Sequence, residues 1–384
     1  LRFSTATEML LTWASSQGRP SLVLNFLQGI ADSRITYSGG ANGTRIDSSG
    51  VIVAATTPRF DYDPVTLAAR GLLVEEARTN LLLRSAALDN AAWTTTATIT
   101  ADATNSPAGT TTADRLVSAD GSHFIYQDWT GTPSGPFTAS IYLRADSAQS
   151  VRLLSQQIGG SGGYASQTCA VTTQWQRFAV TLSPDGTGSS VRLAIDGGGA
   201  PSFDVYAWGA QLEAGSFPTS YIPTTSASVA KTADVGAMTS TNFSSFYNQA
   251  GGTLVASFDV ITTVAGTRPI VSFDDNTANE RIELYASGTD LRMRVIDGGA
   301  TQVDMSIGTI AANTTYKAAI SFAANDFAGC VNGGTVATDT SGTLPTPDRM
   351  RLGSNQAGNY QNGHLRSITY YPTARPNSLQ ALTA

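Results

Sequence analysis

The feature that most constrains this chain is a succession of short segments in which apolar residues recur at every second position. Residues 113–117, 123–129, 137–145, 151–156, 177–182, 191–195 and 203–213 all read this way. Successive side chains of a strand point to opposite faces, so this period marks strands with one face inward. Glycine-rich breaks such as Gly159–Gly163 and Asp196–Gly199 separate them, the pattern of an antiparallel sandwich. A second series occupies residues 253–260, 269–273, 281–285, 291–296, 303–307, 316–323, 349–352 and 365–371. Turns at Asp297-Gly298-Gly299 and Asn332-Gly333-Gly334 punctuate it, and Asn-Gly supplies the positive φ values that a tight hairpin needs.

The expected fold class is therefore all-β, with two antiparallel β-sandwich (jelly-roll) domains in tandem behind an N-terminal extended segment. At 384 residues the chain is long enough for two or three cores. Only 14% of residues are charged, which suits strands and small-residue turns better than surface helices. The division reads as 1–80, an N-terminal attachment and assembly segment; 81–225, the first sandwich; 226–250, a polar Thr/Ser/Ala linker; and 251–384, the second sandwich. Within the first of these, residues 7–13 suggest a short helix and residues 21–26 a strand. Residues 58–83 hold the densest charge, with Arg59, Asp61, Asp63, Arg70, Glu75, Glu76 and Arg78 close together. Alternating signs there can satisfy one another, the mark of an ion-paired junction.

Several function classes are disfavoured. Lysine and arginine number 23 against 29 acidic residues, a formal charge of −6, where a nucleic-acid partner calls for a concentrated basic excess. No stretch approaches the ~20 apolar residues that membrane insertion requires, and residues 9–14 are too short for a secretory core. Cys169 and Cys330 fall in different predicted domains, so they read as buried free thiols. His123 and His364 are the only histidines, and no nucleophile elbow, HExxH or phosphate-loop motif is present. An enzyme is not expected. Two carboxylates alone can hydrolyse a glycan, which keeps a depolymerase as the minor alternative.

The segment PRFDYDPVTLAARGLLVEEARTNLL, beginning at Pro58, resembles a sequence common in bacteriophage head-spike and tail-fibre proteins, where it leads into a carbohydrate-binding-module-like domain. YAWGAQLEAGSFPTSYIPTT, residues 206–225, is similar to the closing strand and exit of the same domains. The last third resembles a laminin-G-like or concanavalin-like jelly roll in GTLVASFDV, in residues 316–322, and in GHLRSITYYPTARPNSLQALTA. It departs from that family in lacking the tryptophan and histidine that often open the central strand, and in having Asn332-Gly333 where Asp-Gly is common. The resemblance implies a virion spike or fibre adhesin that binds bacterial surface polysaccharide (capsule or lipopolysaccharide). It also implies other virion proteins as partners of the N-terminal segment, a homo-oligomer with a trimer favoured, and exposure on the particle. A structural or decoration protein without glycan binding is the alternative.

Glycan sites combine aromatic faces with planar hydrogen-bonding groups. Alternation in residues 137–146 turns Phe137, Ala139, Ile141 and Leu143 inward and Tyr142 and Arg144 outward. Neighbouring strands likewise expose Arg152, Gln156 and Arg192. The expected carbohydrate face is thus Tyr142, Arg144, Arg152, Gln156 and Arg192, on one sheet, with Trp129 at a strand end. Arginine clusters suit acidic sugars, and the competing reading places them against acidic residues of a neighbouring subunit. Trp208 and Trp175 read as core. No cofactor is expected beyond a weak Ca²⁺ candidate at Asp274, Asp275 and Asn276, with Asn355 and Asn359 in a nearby loop, where turn-forming roles compete.

Overall fold

The computed structural model describes residues 18–120, 122–200 and 202–384. The helix expected over residues 7–13, like residues 9–14, lies outside these. The described chain is almost entirely antiparallel β and forms two sandwiches.

The first sandwich pairs two five-stranded sheets. One, here called the covered sheet, has the order Gln176–Leu182, Phe137–Arg144, Phe203–Ala214, Thr111–Ser118, Thr98–Asn105. The other, the free sheet, runs Tyr164–Val171, Gln149–Ile158, Ser190–Asp196, Phe124–Thr130, Thr94–Thr95. Leu116, Ile141, Leu143, Val205 and Leu212 from the first meet Ile125, Val151, Leu153, Leu193 and Ile195 from the second in one core. Cys169 joins this core as a free thiol, and Cys330 is likewise buried and unpaired in the other sandwich.

The second sandwich pairs a seven-stranded sheet, which includes Val235–Thr239, Thr267–Asp274 and Arg281–Ser287, with an eight-stranded sheet. The latter includes Gly251–Phe258, Tyr316–Ala323 and Gly363–Tyr371. Its tight turns behave as the sequence requires. Gly298 and Gly299 close a hairpin in which Asp297 faces Ala300, and Asn332 and Gly333 take φ values of 46° and 66°.

Two boundaries need correction. Residues 1–80 were expected to stand apart from both cores, but strands of the described part are built into the second sandwich, and Ile46 and Ile52 pack on the first. Leu22–Asn25 pairs with the closing strand, Leu24 facing Ile368, and Ala69–Val74 pairs with the same strand where His364 faces Leu73. Leu22, Leu24, Phe26, Leu72 and Val74 enter the main core. Residues 226–250 are no linker either: Val235–Thr239 lies between Thr36–Ser38 and Arg349–Leu352, and Met238, Phe243 and Phe246 are core residues. Average composition hid these few large side chains, each placed where it fills the core. The chain thus begins the second sandwich, leaves it to build the first, and returns.

The charged segment 58–83 is where the two sandwiches lock. Arg59, fully buried, donates to Glu75 (2.8 Å), to Asp234, to the Thr44 carbonyl (2.9 Å) and to Ser220 Oγ (2.8 Å). Ser220, at the exit of the first sandwich, donates to Glu75 from both N–H and hydroxyl at 2.7 Å. Burial alone would raise the Glu75 carboxyl, but Arg59 and Lys231 hold it far below the usual carboxylate range. Nearby, His364 sits between Asp259 (Nδ1 to Oδ1, 2.9 Å) and Asp61 (Nε2 to Oδ2, 3.1 Å). Within the segment Arg59 pairs with Glu75 and Arg78 with Glu76, while Asp61 and Arg70 find their partners, His364 and Asp259, in the second sandwich.

Candidate functional site

The outer face of the free sheet is a broad strand surface of the first sandwich that the rest of the described chain leaves open. Its strands show the half-buried alternation of a solvated face: Ile125, Leu193 and Ile195 point in, and their neighbours point out. Strand register arranges the outward residues in rows. Asp128, Arg192, Gln156 and Tyr164 form one row across four strands. Tyr126, Ala194, Leu154 and Ser166 form the next, and Phe124, Asp196, Arg152 and Thr168 the third. All of these but Asp128, Ser166 and Thr168 line a shallow depression of about 330 Å³.

Each arginine in it has a carboxylate. Arg192 donates to Asp128 through Nε (2.7 Å) and Nη2 (2.9 Å), with its guanidinium 3.6 Å from the centre of the Tyr126 ring. Arg152 donates to Asp196 at 2.9 and 2.6 Å. These bonds raise the pKa of both arginines. Two guanidinium and two carboxylate groups balance, so the face carries planar donors and acceptors without net charge. A guanidinium has five N–H donors and a carboxylate about four acceptor sites, so each pair keeps free valences for a ligand. Tyr164 stands at one edge with 60% of its surface exposed.

Of the expected face, Arg152, Gln156 and Arg192 come together here, and Tyr142 and Arg144 do not. The strand Phe137–Arg144 pairs with Gln176–Leu182 and Phe203–Ala214, in the covered sheet. Residues 145–148 carry the chain across to the opposite sheet, so outward on one strand and outward on the next are opposite sides of the sandwich. Tyr142 packs against Trp208 at a centroid distance of 5.8 Å. Arg144 lies 4.7 Å from the Tyr206 ring and 3.4 Å from Asp146. Trp129 points inward, its ring 5.3 Å from that of Phe137 and so close to Gly131 that a Cβ there would sit 2.5 Å from it. Trp208 is buried as expected, in a small cluster with Ile52 and Tyr221 outside the main core, whereas Trp175 is only half-buried. Reading missed Phe124, Tyr126 and Tyr164 as members of the face. The first two were within reach of the same alternation, while Tyr164 follows a glycine-rich turn.

The cation candidates are engaged otherwise. Buried Asp274 accepts from Arg351 Nε at 3.2 and 3.0 Å, and Asn276 Oδ1 accepts from the same guanidinium. Asp275 accepts from the Thr277 N–H at 2.8 Å, and Asn355 donates to Glu283 at 2.9 Å. An arginine thus fills the place a cation would take, and among the described residues no cluster of three or more His, Cys, Asp or Glu could hold a metal. Nor does His123 build a hydrolytic triad, because Ser118 (3.1 Å) and Asp120 (2.8 Å) both address its Nδ1. Among the described residues no helix is long and apolar enough to cross a membrane.

No family model matches the sequence, and no curated protein matches it. Solved structures give partial similarities. The CBM40 module of Ruminococcus gnavus IT-sialidase, bound to α2,3-sialyllactose, is 15% identical over 37% of this chain and 87% of that one, with a TM-score of 0.33. A CBM4 structure is 20% identical over 26% of this chain and 70% of its own, with a TM-score of 0.24. The binding domain of botulinum neurotoxin DC in complex with SialylT is 9% identical over 37% of each chain, with a TM-score of 0.30. Similarities of this size carry no argument about this chain's fold or ligand, which rest on its own geometry.

Proposed function

We propose that this chain is a non-catalytic glycan-binding protein and that the free sheet of the first sandwich is its sugar-binding face. The row Asp128–Arg192–Gln156–Tyr164 carries the reading: an ion pair, an amide and an exposed aromatic ring lie side by side on a rigid, open sheet. Vicinal hydroxyls match such planar groups, and the apolar face of a pyranose matches Tyr164. Because both arginines are neutralised, the ligand on this face is a neutral sugar, which replaces the acidic one that unpaired arginines would favour. Asp196 in the depression and Asp128 on the same face are each tied to an arginine, which supports holding over hydrolysis.

The finer reading is a phage-type spike or fibre adhesin displayed on a virion and directed at bacterial surface polysaccharide. Its support is the resemblance of the segments beginning at Pro58 and Tyr206. Exposed Val23 (57%), on the strand Leu22–Asn25 of the second sandwich, and Ile30 (66%), in the loop after it, support an assembly contact there, the role proposed for the N-terminal segment.

A glycan array with mass-spectrometric product analysis tests the function. Binding to neutral glycans without cleavage is expected, and Tyr164→Ala should weaken it roughly tenfold, about 1.4 kcal/mol, near the upper range of an aromatic contact. Cleaved products would replace this reading with an enzyme, and binding indifferent to Tyr164 would remove the site.

A further inference from the structure

The opposite outer face of the first sandwich is covered, but not completely. Between it and the N-terminal segment remains a cleft of about 360 Å³. One wall carries Tyr142 and Arg177, which face each other across paired strands, and Trp175, whose indole N–H is held by the Asn105 carbonyl at 3.0 Å. Ile46, Ile52, Pro64 and Val65 form the other wall, and Arg70 also lines the cleft.

Its arginines differ from those of the free sheet. Arg177 has no ion-pair partner among the described residues. It donates to two neutral oxygens, the Thr219 carbonyl (2.6 Å) and Ser140 Oγ (2.9 Å), while its Nε is buried without a partner. Glu213, the carboxylate it acts on electrostatically, accepts from the N–H and hydroxyl of Thr219. The ion pair of Arg70 is a long one, 3.8 Å to Asp259, which is already bonded to His364, and Arg70 also acts on Asp63 without a hydrogen bond to it among the described residues. Two incompletely neutralised guanidinium groups therefore share a small cleft with two aromatic rings.

We infer that this cleft is a second binding site, for a carboxylate-bearing sugar residue. The carboxylate would be held by Arg70 and Arg177, whose forked donors match it, and the ring by Tyr142 and Trp175. This site does not depend on the free-sheet reading, and the two take different ligands.

Titration calorimetry and tryptophan fluorescence on the full chain, with glucuronate and a galacturonate trimer as probes, test the inference. Glucose, the methyl ester of glucuronate and benzoate serve as controls. The acids should bind and quench Trp175, with affinity falling as salt rises; glucose and the ester should bind at least tenfold more weakly. Arg70→Gln should cost at least tenfold. Val65→Trp, at a residue 76% exposed on the rim, should block the cleft without disturbing a buried contact. Trp175→Phe should abolish the quench and leave the calorimetric signal. Tyr164→Ala should change none of this. Equal binding of glucose, tighter binding of benzoate than of glucuronate, or uronate binding indifferent to both Arg70→Gln and Val65→Trp would overturn it.

Discussion

The two sheets of the first sandwich follow the same strand alternation and present opposite surfaces. In the free sheet, outward residues meet solvent: Arg152 and Arg192 keep 35% and 24% of their side chains exposed. In the covered sheet the residues of the corresponding class divide: Arg115, Asp204 and Arg144 keep 43%, 45% and 26% of their side chains exposed at one end, and others are interior. Thr138 and Ser140, outward by alternation, are completely buried, Thr138 donating to the Gly215 carbonyl (2.8 Å) and Ser140 accepting from Arg177 (2.9 Å). The difference teaches that a strand decides which side chains share a face, while distant chain decides whether that face is a surface.

The comparison breaks most completely if the cover is released. Arg59 binds the covering segment to both sandwiches, and Arg59→Ala leaves Glu75 and Asp234 buried without it. Removing one partner of a buried ion pair costs about 3–5 kcal/mol. Chemical denaturation should show a loss of that size. Amide hydrogen exchange should show the covered strand Phe137–Arg144 losing protection while the free sheet keeps its own. An unchanged midpoint would mean that apolar packing of Ile52 on Trp208 and Tyr221 holds the cover without the charges.

A milder break is available through pH. Burial would lower the pKa of His364, but Asp259 and Asp61 override it and push it up to about 9. A group whose pKa is raised on folding contributes stability that is fully present below its unfolded value, about 6.5, and is lost as pH rises through its folded value. The chain should therefore lose on the order of 2–3 kcal/mol between about pH 6.5 and pH 9. The surrounding groups are Asp61, Asp259 and Arg70. Thermal melts across this range check the slope, and His364→Gln should be less stable at pH 6 and flatten it. Because Asp61 belongs to the covering segment and Asp259 to the second sandwich, exchange on the free sheet should not follow this titration.

Much of the architecture is legible in the sequence because it follows from local pattern. Alternation in residues 191–195 and 203–213 locates Ser190–Asp196 and Phe203–Ala214 to within a residue or so. Tyr164–Val171 is invisible to the same reading: its inward positions are Ala165, Gln167, Cys169 and Val171, too small and polar to announce a core face. The strand at Leu22–Asn25 was anticipated, but its partner lies more than 340 residues away, and no local signal names such a partner. The candidate site divides the same way. Arg152, Gln156 and Arg192 were placed together because their strands are neighbours in the free sheet. Tyr142 and Arg144 were misplaced because alternation fixes facing within a strand and says nothing about which sheet receives it. The pairing of each arginine with an aspartate was equally hidden, since Asp128 and Arg192 are 64 residues apart.

The finest test asks whether the free face was built for stability or for recognition, and Arg192→Lys separates the two. Half-exposed ion pairs contribute only about 0.2–1 kcal/mol to folding, so the substitution should move the melting temperature very little. A lysine keeps the charge but loses the planar fork, so it can no longer grip Asp128 through two bonds while offering its remaining donors to a hydroxyl. It also gives up the contact of the guanidinium with the Tyr126 ring, whose centre is now 3.6 Å away. If the pair exists to present a rigid donor–acceptor edge, neutral-glycan binding should fall severalfold while stability and uronate binding in the cleft stay unchanged. The salt dependence of glycan binding should remain flat, because the charge balance of the face is preserved. A variant that loses stability and keeps its glycan affinity would make the pair a cross-strand tie, and recognition would then fall to Gln156 and Tyr164 alone.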